Sequence, residues 1–446
     1  MEIFELLTEL LHNKKWQELK NILDEMNEQD IAELFMELDE RDLTLIYRLL
    51  NKELAAEVFV NMEPEYQEML IRAFSDTELR EVLDELYVDD AVDLIEEMPA
   101  TLVKRILRHT DPDTRKSINE ILKYPEDSAG SLMTIEYVDL KRSLTVADAF
   151  TRIRRTGVDK ETIYTCYVTD SKRKLKGYVT VKDLLLADEN ATIREIMEDN
   201  VISVNTHEDK EVVADLFQKY DLVVLPVVDQ ENRLVGIITV DDAIDVLQEE
   251  ITEDMELMAA ITPTDKPYLK MGVFENFKKR IPWLMLLMVS ATFTEKIITH
   301  FEGALTSCVV LTAFIPMLTG TCGNCGNQSS STIIRGISLG EIEFRDTFKV
   351  VVKEFLIALA CGIALAIVNF AKLMIFNNIG WKIALVVSIT MIAAVVFAKV
   401  VGSVLPVIAK KIGFDPAVMS SPFISTIVDA VTLLIYFAIA SSLLNL

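Results

Sequence analysis

Three hydrophobic rhythms follow one another along the chain. From Met1 to about Lys123, apolar residues recur at three- and four-residue spacing, as in Ile31-Ala32-Glu33-Leu34-Phe35-Met36-Glu37-Leu38 and Ala91-Val92-Asp93-Leu94-Ile95-Glu96-Glu97-Met98, which predicts short amphipathic helices. Breaks at Glu63-Pro64, Met98-Pro99 and Asp111-Pro112-Asp113 separate them, and glycine is absent before Gly130. Without residues for tight hairpins, such helices stack into a superhelical layer. From about Ser131 to Leu247 the rhythm becomes β-like and repeats itself: Gly177-Tyr178-Val179-Thr180-Val181-Lys182-Asp183 returns 59 residues later as Gly236-Ile237-Ile238-Thr239-Val240-Asp241-Asp242. A β-rich run precedes each copy, Tyr164–Val168 and Leu222–Val228, and a helix start follows. Beyond Ile281 the chain is mostly apolar, with five stretches near 282–299, 303–334, 355–376, 383–409 and 418–444. A membrane span needs about 20 such residues.

Charge divides the chain at the same place. The 446 residues are 50% hydrophobic yet carry a net charge of −26. From Ile281 onward there are 10 Lys/Arg and 8 Asp/Glu, against 34 and 62 before it. An acidic soluble half is thus fused to a nearly neutral apolar half. This excludes a wholly soluble enzyme, a secreted disulfide scaffold and a nucleic-acid binder, which would need a basic face. Lys278, Lys279 and Arg280 precede the first span, Arg335, Arg345, Lys349 and Lys353 follow the second, and Lys410 and Lys411 follow the fourth. Fewer basic residues flank the other ends, chiefly Lys296, Lys372 and Lys382. Excess positive charge stays in the cytoplasm, so the amino terminus is expected inside and the carboxyl terminus outside. Met1-Glu2-Ile3-Phe4-Glu5 lacks the basic-then-apolar layout of a signal peptide.

Within the spans, chemistry concentrates in two places. Asp429 lies midway along the last span, with Ser425 and Thr426 one turn before it. An intramembrane carboxylate costs a few kcal/mol and marks a functional site by default. Cation binding in a pore is the expected role, against the alternative of a protonated Asp bonded to a neighbouring helix. The second span contains Pro316-Met317-Leu318-Thr319-Gly320-Thr321-Cys322-Gly323-Asn324-Cys325-Gly326-Asn327-Gln328. Its proline and glycines predict irregular backbone, tolerated in a membrane only where protein or water satisfies it. Asn324, Asn327 and Gln328 offer carbonyl oxygens, hard ligands suited to magnesium or its water shell. Cys322-x-x-Cys325 has redox spacing but no thioredoxin-like strand and helix around it. The odd count of five cysteines gives no disulfide framework.

The repeated β-β-α unit resembles a tandem pair of CBS domains. That resemblance implies adenine-nucleotide binding through Thr180 and Asp183 and through Thr239 and Asp242. The run Pro316–Gln328, the Asp415-Pro416-Ala417 turn and the Asp429 helix together resemble the MgtE family of magnesium channels. So does the order of parts along the whole chain. The implied architecture is an all-α superhelical N domain (1–130), an α/β tandem CBS pair (131–247), a connecting plug helix (248–275) and an α-helical transmembrane domain of five spans per subunit (276–446). The joint is Tyr124-Pro125-Glu126-Asp127-Ser128-Ala129-Gly130. The resemblance further implies a homodimer in the plasma membrane, surrounded by lipid, with a pore at the dimer axis. Asp429 matches the pore aspartate, joined with less weight by Asn324, Asn327, Gln328 and Thr426. Relatives often carry asparagine where Ser421 stands in the turn ending at Pro422. For the acidic half, the resemblance implies regulatory magnesium held by Asp89, Asp90 and Asp93 of the N domain, by Glu211 and Asp221 of the second CBS copy, and by Asp242, Asp245, Glu250, Glu253 and Asp254 toward the plug. Without the cation these carboxylates repel at close range, where salt screening is weak. With it the domains close and shut the pore.

Other readings compete. A coupled magnesium or cobalt transporter fits the same parts, although a single intramembrane acid favours a channel. A membrane-anchored nucleotide sensor would make the spans mere anchors. A membrane thiol-disulfide enzyme would use Cys322 and Cys325. No enzyme activity is otherwise expected.

Overall fold

The computed structural model describes residues 2–444 except 159, 265, 267, 377, 378 and 420, and not the side chains of residues 2, 3 and 421. The chain forms two compact units, Met1–Leu247 and Gln248–Leu446.

The first unit opens with ten short helices, α1 to α10: Glu2–His12, Trp16–Leu23, Glu28–Met36, Glu40–Tyr47, Lys52–Val60, Pro64–Ala73, Asp76–Leu83, Val88–Glu97, Ala100–His109 and Pro112–Ile121. Local chemistry starts them: Asn27, Asp39, Asn51, Ser75 and Asp111 cap their helices with side-chain acceptors, and Pro64 and Pro112 occupy first turns. Packing skips a neighbour, α3 on α5, α5 on α7, α7 on α9, and likewise α4 on α6 and α8 on α10. That alternation is the two-layered superhelix expected of helices too short to bury a face alone.

Two three-stranded sheets follow. Strands β1 (Asp139–Lys141), β2 (Thr165–Thr169) and β3 (Leu175–Thr180) form the first, with α11 (Val146–Thr156), α12 (Val181–Leu186) and the single turn α13 (Ile193–Ile196) around it. Strands β4 (Val204–Asn205), β5 (Val224–Val228) and β6 (Leu234–Thr239) form the second, with α14 (Lys210–Tyr220). In each, the first pair is parallel and the second antiparallel. The sequence repeat is therefore a structural repeat. Buried residues from the N-terminal helices run without a gap into Met133, Val204, Phe217, Leu225 and Ile238, so the helical layer and the second repeat share one core. At their joint the Gly130 N–H donates to the Thr206 carbonyl at 2.9 Å. A Cβ at Gly130 would come 2.5 Å from the Tyr124 ring and 2.7 Å from the Thr206 oxygen, so only glycine fits.

Helix α15 (Val240–Met258) starts at the end of β6 and continues past residue 247. The helix expected over 248–275 is thus the tail of the last CBS helix and stops at Met258. Ala260 then turns with positive φ. The second unit contains α16 (Val273–His300), α17 (Glu302–Ser307), α18 (Ile315–Ser338), α19 (Thr347–Ile375), α20 (Trp381–Lys411) and α21 (Ser421–Leu444). Five segments are long and apolar enough to cross a membrane: Val273–His300, Val309–Ser338, Phe344–Ile375, Trp381–Lys411 and Pro416–Leu444.

Candidate ion path and acidic cluster

Helix α18 is continuous, although its sequence holds Pro316 and four glycines. The irregular backbone expected over Pro316–Gln328 does not form. Pro316 falls in the first turn, where a missing N–H costs nothing, and Gly326 acts through its size. A Cβ on Gly402 of α20 would overlap the Gly326 carbonyl. A Cβ on Gly326 would lie 2.9 Å from the Ile424 methyl of α21 and 3.3 Å from the Ala398 carbonyl of α20. Helices α18 and α20 approach at backbone distance, with α21 side chains packed against the same glycine, as small residues allow in membranes. The departure from α geometry comes earlier, in the 3-10 segment Val309–Phe314, where the Tyr436 hydroxyl of α21 donates to the Leu311 carbonyl at 3.0 Å.

The same closeness brings the polar groups of α18 and α21 together. A Cβ at Gly323 would stand 3.6 Å from Ser425 Oγ and 4.0 Å from Asp429 Oδ1. One turn on, Asn327 Nδ2 donates to Ser425 Oγ at 3.3 Å, while Asn327 Oδ1 is buried without a hydrogen-bond partner. Thr426 donates its hydroxyl to the Pro422 carbonyl at 3.0 Å, leaving only acceptor capacity. Asn324 and Gln328 are exposed on α18, and Ser331 and Thr332 continue that face. Amide side chains exposed on a membrane span do not favour lipid; they call for water or another subunit. Cys322 and Cys325 are both buried and reduced.

Another charged group belongs to the spans. Glu354 of α19 and Lys399 of α20 are 7% and 5% exposed, and both meet Ser329 of α18. Asp429 is therefore not the lone intramembrane acid that the sequence reading assumed. Lys399 stands inside a span without an adjacent acid, and that was the available signal.

In the first unit, carboxylates from three places converge. Asp89, Asp90 and Asp93 belong to α8, Asp242 to the first turn of α15, and Glu136 and Glu161 to loops of the first CBS repeat. Burial pushes Asp89 well above the ordinary carboxylate range, and Asp90, Asp242 and Glu161 raise it further. Its Oδ1 is buried with no hydrogen-bond partner. Asp90 is pushed up to about 7 by burial and by Asp242, Asp241 and Glu136. Asp93, although more exposed, also reaches about 7 through desolvation and the charges of Asp242, Asp90, Glu96 and Glu97. Glu161 rises to about 7, chiefly by burial and then by Asp90, Asp241 and Asp242. For Asp242, burial raises the carboxyl to about 6 even though Thr239 donates to it. Like charges held close together, partly out of water, invite a cation. Asp90 and Asp93 also line a cavity of about 250 Å³ against Phe59, Pro64 and Gln67. Among the described residues, no three His, Cys, Asp or Glu side chains converge tightly enough to hold a bare ion. Sequence reading missed Glu136 and Glu161, since only tertiary folding brings them to α8.

The remaining expected ligands are dispersed. Glu211 opens α14, and Asp221 closes it with left-handed backbone; ten steps of helix put them about 15 Å apart, too far for one ion. Asp245, Glu250, Glu253 and Asp254 lie along α15. Both Thr-x-x-Asp elements cap helices: Thr180 Oγ donates to Asp183 Oδ2 at 2.5 Å, and Thr239 Oγ to Asp242 Oδ2 at 2.8 Å. A cavity of about 180 Å³ lies beside the first, lined by Thr165, Tyr178, Ile202, Leu222 and Val223, and Thr165 pairs with Thr180 across the sheet.

A helical domain of five spans, with a carboxylate packed on the amide-bearing helix inside it and a carboxylate-rich module attached, defines a membrane transport protein for cations. Family profiles agree. Residues 315–439 match the MgtE divalent cation transporter profile, 26–127 the MgtE intracellular N domain, and 129–190 and 193–249 the CBS domain. The chain is 37% identical over 443 residues to the magnesium transporter MgtE of Thermus thermophilus, covering 98% of each. Against the Bacillus subtilis magnesium transporter MgtE it is 32% identical over 448 residues, covering 98% of this chain and 96% of that one. The chain belongs to the MgtE family: it is a multi-pass membrane transporter of divalent cations with intracellular N-terminal domains. The crystal structure of the cytosolic domain of the Mg2+ channel MgtE in complex with ATP superposes with a TM-score of 0.52 at 40% identity, covering 54% of this chain and 98% of that one. The soluble part of a magnesium transporter gives 0.53 at 31% identity, with 56% and 98% covered.

Proposed function

We propose that this transporter is a homodimeric magnesium channel, closed from the cytoplasmic side by magnesium itself. The observation that carries the proposal is Asp429 facing Gly323, beside the unpartnered Asn327 carbonyl, on spans whose amide-bearing face is exposed in one subunit. A second copy related by a two-fold axis would enclose that face and add a second Asp429. Magnesium is small and dehydrates reluctantly, so two carboxylates and the α18 amides would grip its water shell. No chemical step is assigned, and the protein would move an ion without converting a substrate. Its parts would be the N domain (1–130), the CBS pair (131–247), the connector (248–275) and the membrane domain (276–446).

Closure would come from the acidic cluster. Cations would bridge Asp89, Asp90 and Asp93 to Asp242, with Glu211, Asp221, Asp245, Glu250, Glu253 and Asp254 supplying weaker sites. A nucleotide such as ATP would bind by Thr180 and Asp183. Thr239 and Asp242 are the poorer choice, because phosphates would meet the carboxylates of α8.

Magnesium flux into proteoliposomes tests this, wild type against Asp429→Ala, with cytoplasmic-side magnesium varied. The wild type should conduct and be suppressed by cytoplasmic-side magnesium, while the variant should not conduct. Unchanged flux in the variant would end the pore assignment. The buried Glu354 and Lys399 keep a coupled transporter in play; flux that follows an imposed proton gradient would favour it over a channel.

A further inference from the structure

Among the described residues, the membrane unit holds a charged constellation that the proposed ion path does not use. The Ser329 hydroxyl of α18 donates to Glu354 Oε2 of α19 at 2.6 Å. Lys399 Nζ of α20 donates to Ser329 Oγ at 3.3 Å, and lies 4.0 Å from Glu354 Oε2. Ser329 itself is 1% exposed. An acid and a base from two helices are thus joined through one hydroxyl of a third. Buried charges in a membrane demand partners, and here each finds part of its partner on α18.

Position gives this arrangement its consequence. Ser329 follows directly after Asn327 and Gln328, and one turn after Gly326, which packs against Ala398 and Gly402 of α20. The turn from Gly326 to Ser329 is therefore held on one face by backbone contact and on the same side by a polar clamp. Its other face presents Asn324 and Gln328 outward. The Ser329 hydroxyl acts as donor and acceptor at once, so a rotation of α18 by one residue, 100° on a helix, breaks both bonds together. Apolar packing alone would leave such a rotation less well specified.

We propose that Glu354 and Lys399 are positioning residues which, through Ser329, fix the rotation of α18 and thereby set the selectivity of the ion path for magnesium over calcium. The inference rests on the pore reading above. A path that grips a water shell discriminates by size and by the placement of its oxygens. A small turn of α18 would move Asn324, Asn327 and Gln328 relative to Asp429 and widen what the path accepts.

The test uses the full-length protein in proteoliposomes, with initial magnesium and calcium fluxes normalised to folded protein. Ser329→Ala is a small change that leaves Glu354 and Lys399 free to pair directly. It should fold and shift the magnesium-to-calcium ratio toward calcium by about fivefold, the scale of an ordinary coupling between sites. Glu354→Gln and Lys399→Met each leave a buried charge alone and should lower folded yield. The double variant Glu354→Gln/Lys399→Met should recover the yield but keep the altered ratio, since a thioether in place of the ammonium cannot donate to Ser329. Wild-type ratios in both Ser329→Ala and the folded double variant would overturn the proposal and reduce the cluster to a folding element. If the double variant fails to fold, Ser329→Ala alone decides. Asp429→Ala runs alongside. Undiminished magnesium flux there defeats the pore reading, whereas lost flux with unmoved ratios elsewhere defeats only this inference.

Discussion

Two sets of clustered carboxylates solve one problem in opposite ways. In the intracellular unit, Asp89, Asp90, Asp93, Glu161 and Asp242 raise one another's proton affinity, with no Lys or Arg among the causes of their shifts. In the membrane unit, Glu354 has Lys399 and Ser329 at hand. The first set shifts toward holding protons; the second carries its own cation. Burial by itself does not distinguish a ligand site from a structural one. The sign of the neighbours does.

Breaking the pair should have the larger effect. Lys399→Met turns the membrane set into the intracellular kind, one buried carboxylate with no counter-charge, and should cost about 3–5 kcal/mol. Thermal unfolding in detergent, compared with the double variant Glu354→Gln/Lys399→Met, measures it. If the single variant is as stable as the wild type, Glu354 does not depend on Lys399 and the contrast fails.

The intracellular cluster should respond the other way, gaining when charge is removed. Asp90→Asn with Asp242→Asn should stabilise the metal-free protein by about 1–2 kcal/mol near neutral pH and shrink the stabilisation given by magnesium. Proton linkage supplies a further check. In the folded protein Asp90, Asp93 and Glu161 hold protons up to about pH 7, and Asp242 up to about 6. The unfolded chain releases them near pH 4. The folded state therefore binds more protons between those limits, and its stability without metal should fall as pH rises from about 4 to 7. Magnesium should raise the melting temperature little at pH 5 and by several degrees at pH 8. A shift independent of pH would mean that magnesium acts elsewhere.

The smallest effect is expected from Cys322→Ala with Cys325→Ala. Both thiols are buried on α18 without a redox fold around them, so magnesium flux per folded protein should stay within about twofold of wild type. Loss of transport in the variant, together with inhibition of the wild type by oxidant that reductant reverses, would reopen the thiol reading.

Local pattern was enough for much of the architecture. The 59-residue repeat reappears as β3 and β6, Leu175–Thr180 and Leu234–Thr239, because strand and turn chemistry are local. The N-terminal helices and the five apolar segments follow from periodicity and length for the same reason. Asp429 was visible because a charge in an apolar run stands out. Gly320, Gly323 and Gly326 were misread as breakers, since a glycine's role depends on what packs against it, and the neighbour of Gly326, Gly402, is far along the chain. The Glu354–Lys399 pairing was hidden likewise: 45 residues separate them, and only helix register brings both to Ser329. Nor could sequence show that Glu136 and Glu161 meet α8. Ser421, whose identity departs from the family's pattern, has its side chain outside the described residues.

The unbroken course of α15 carries a mechanical consequence. Nineteen residues of helix, from Val240 to Met258, make a rod about 28 Å long whose near end holds Asp242. A tilt of about 10° at that end would move the far end by about 5 Å, close to a whole helical turn. Such a rod would act as a lever, turning a small change of angle at Asp242 into a displacement at Met258 close to one step of its own pitch.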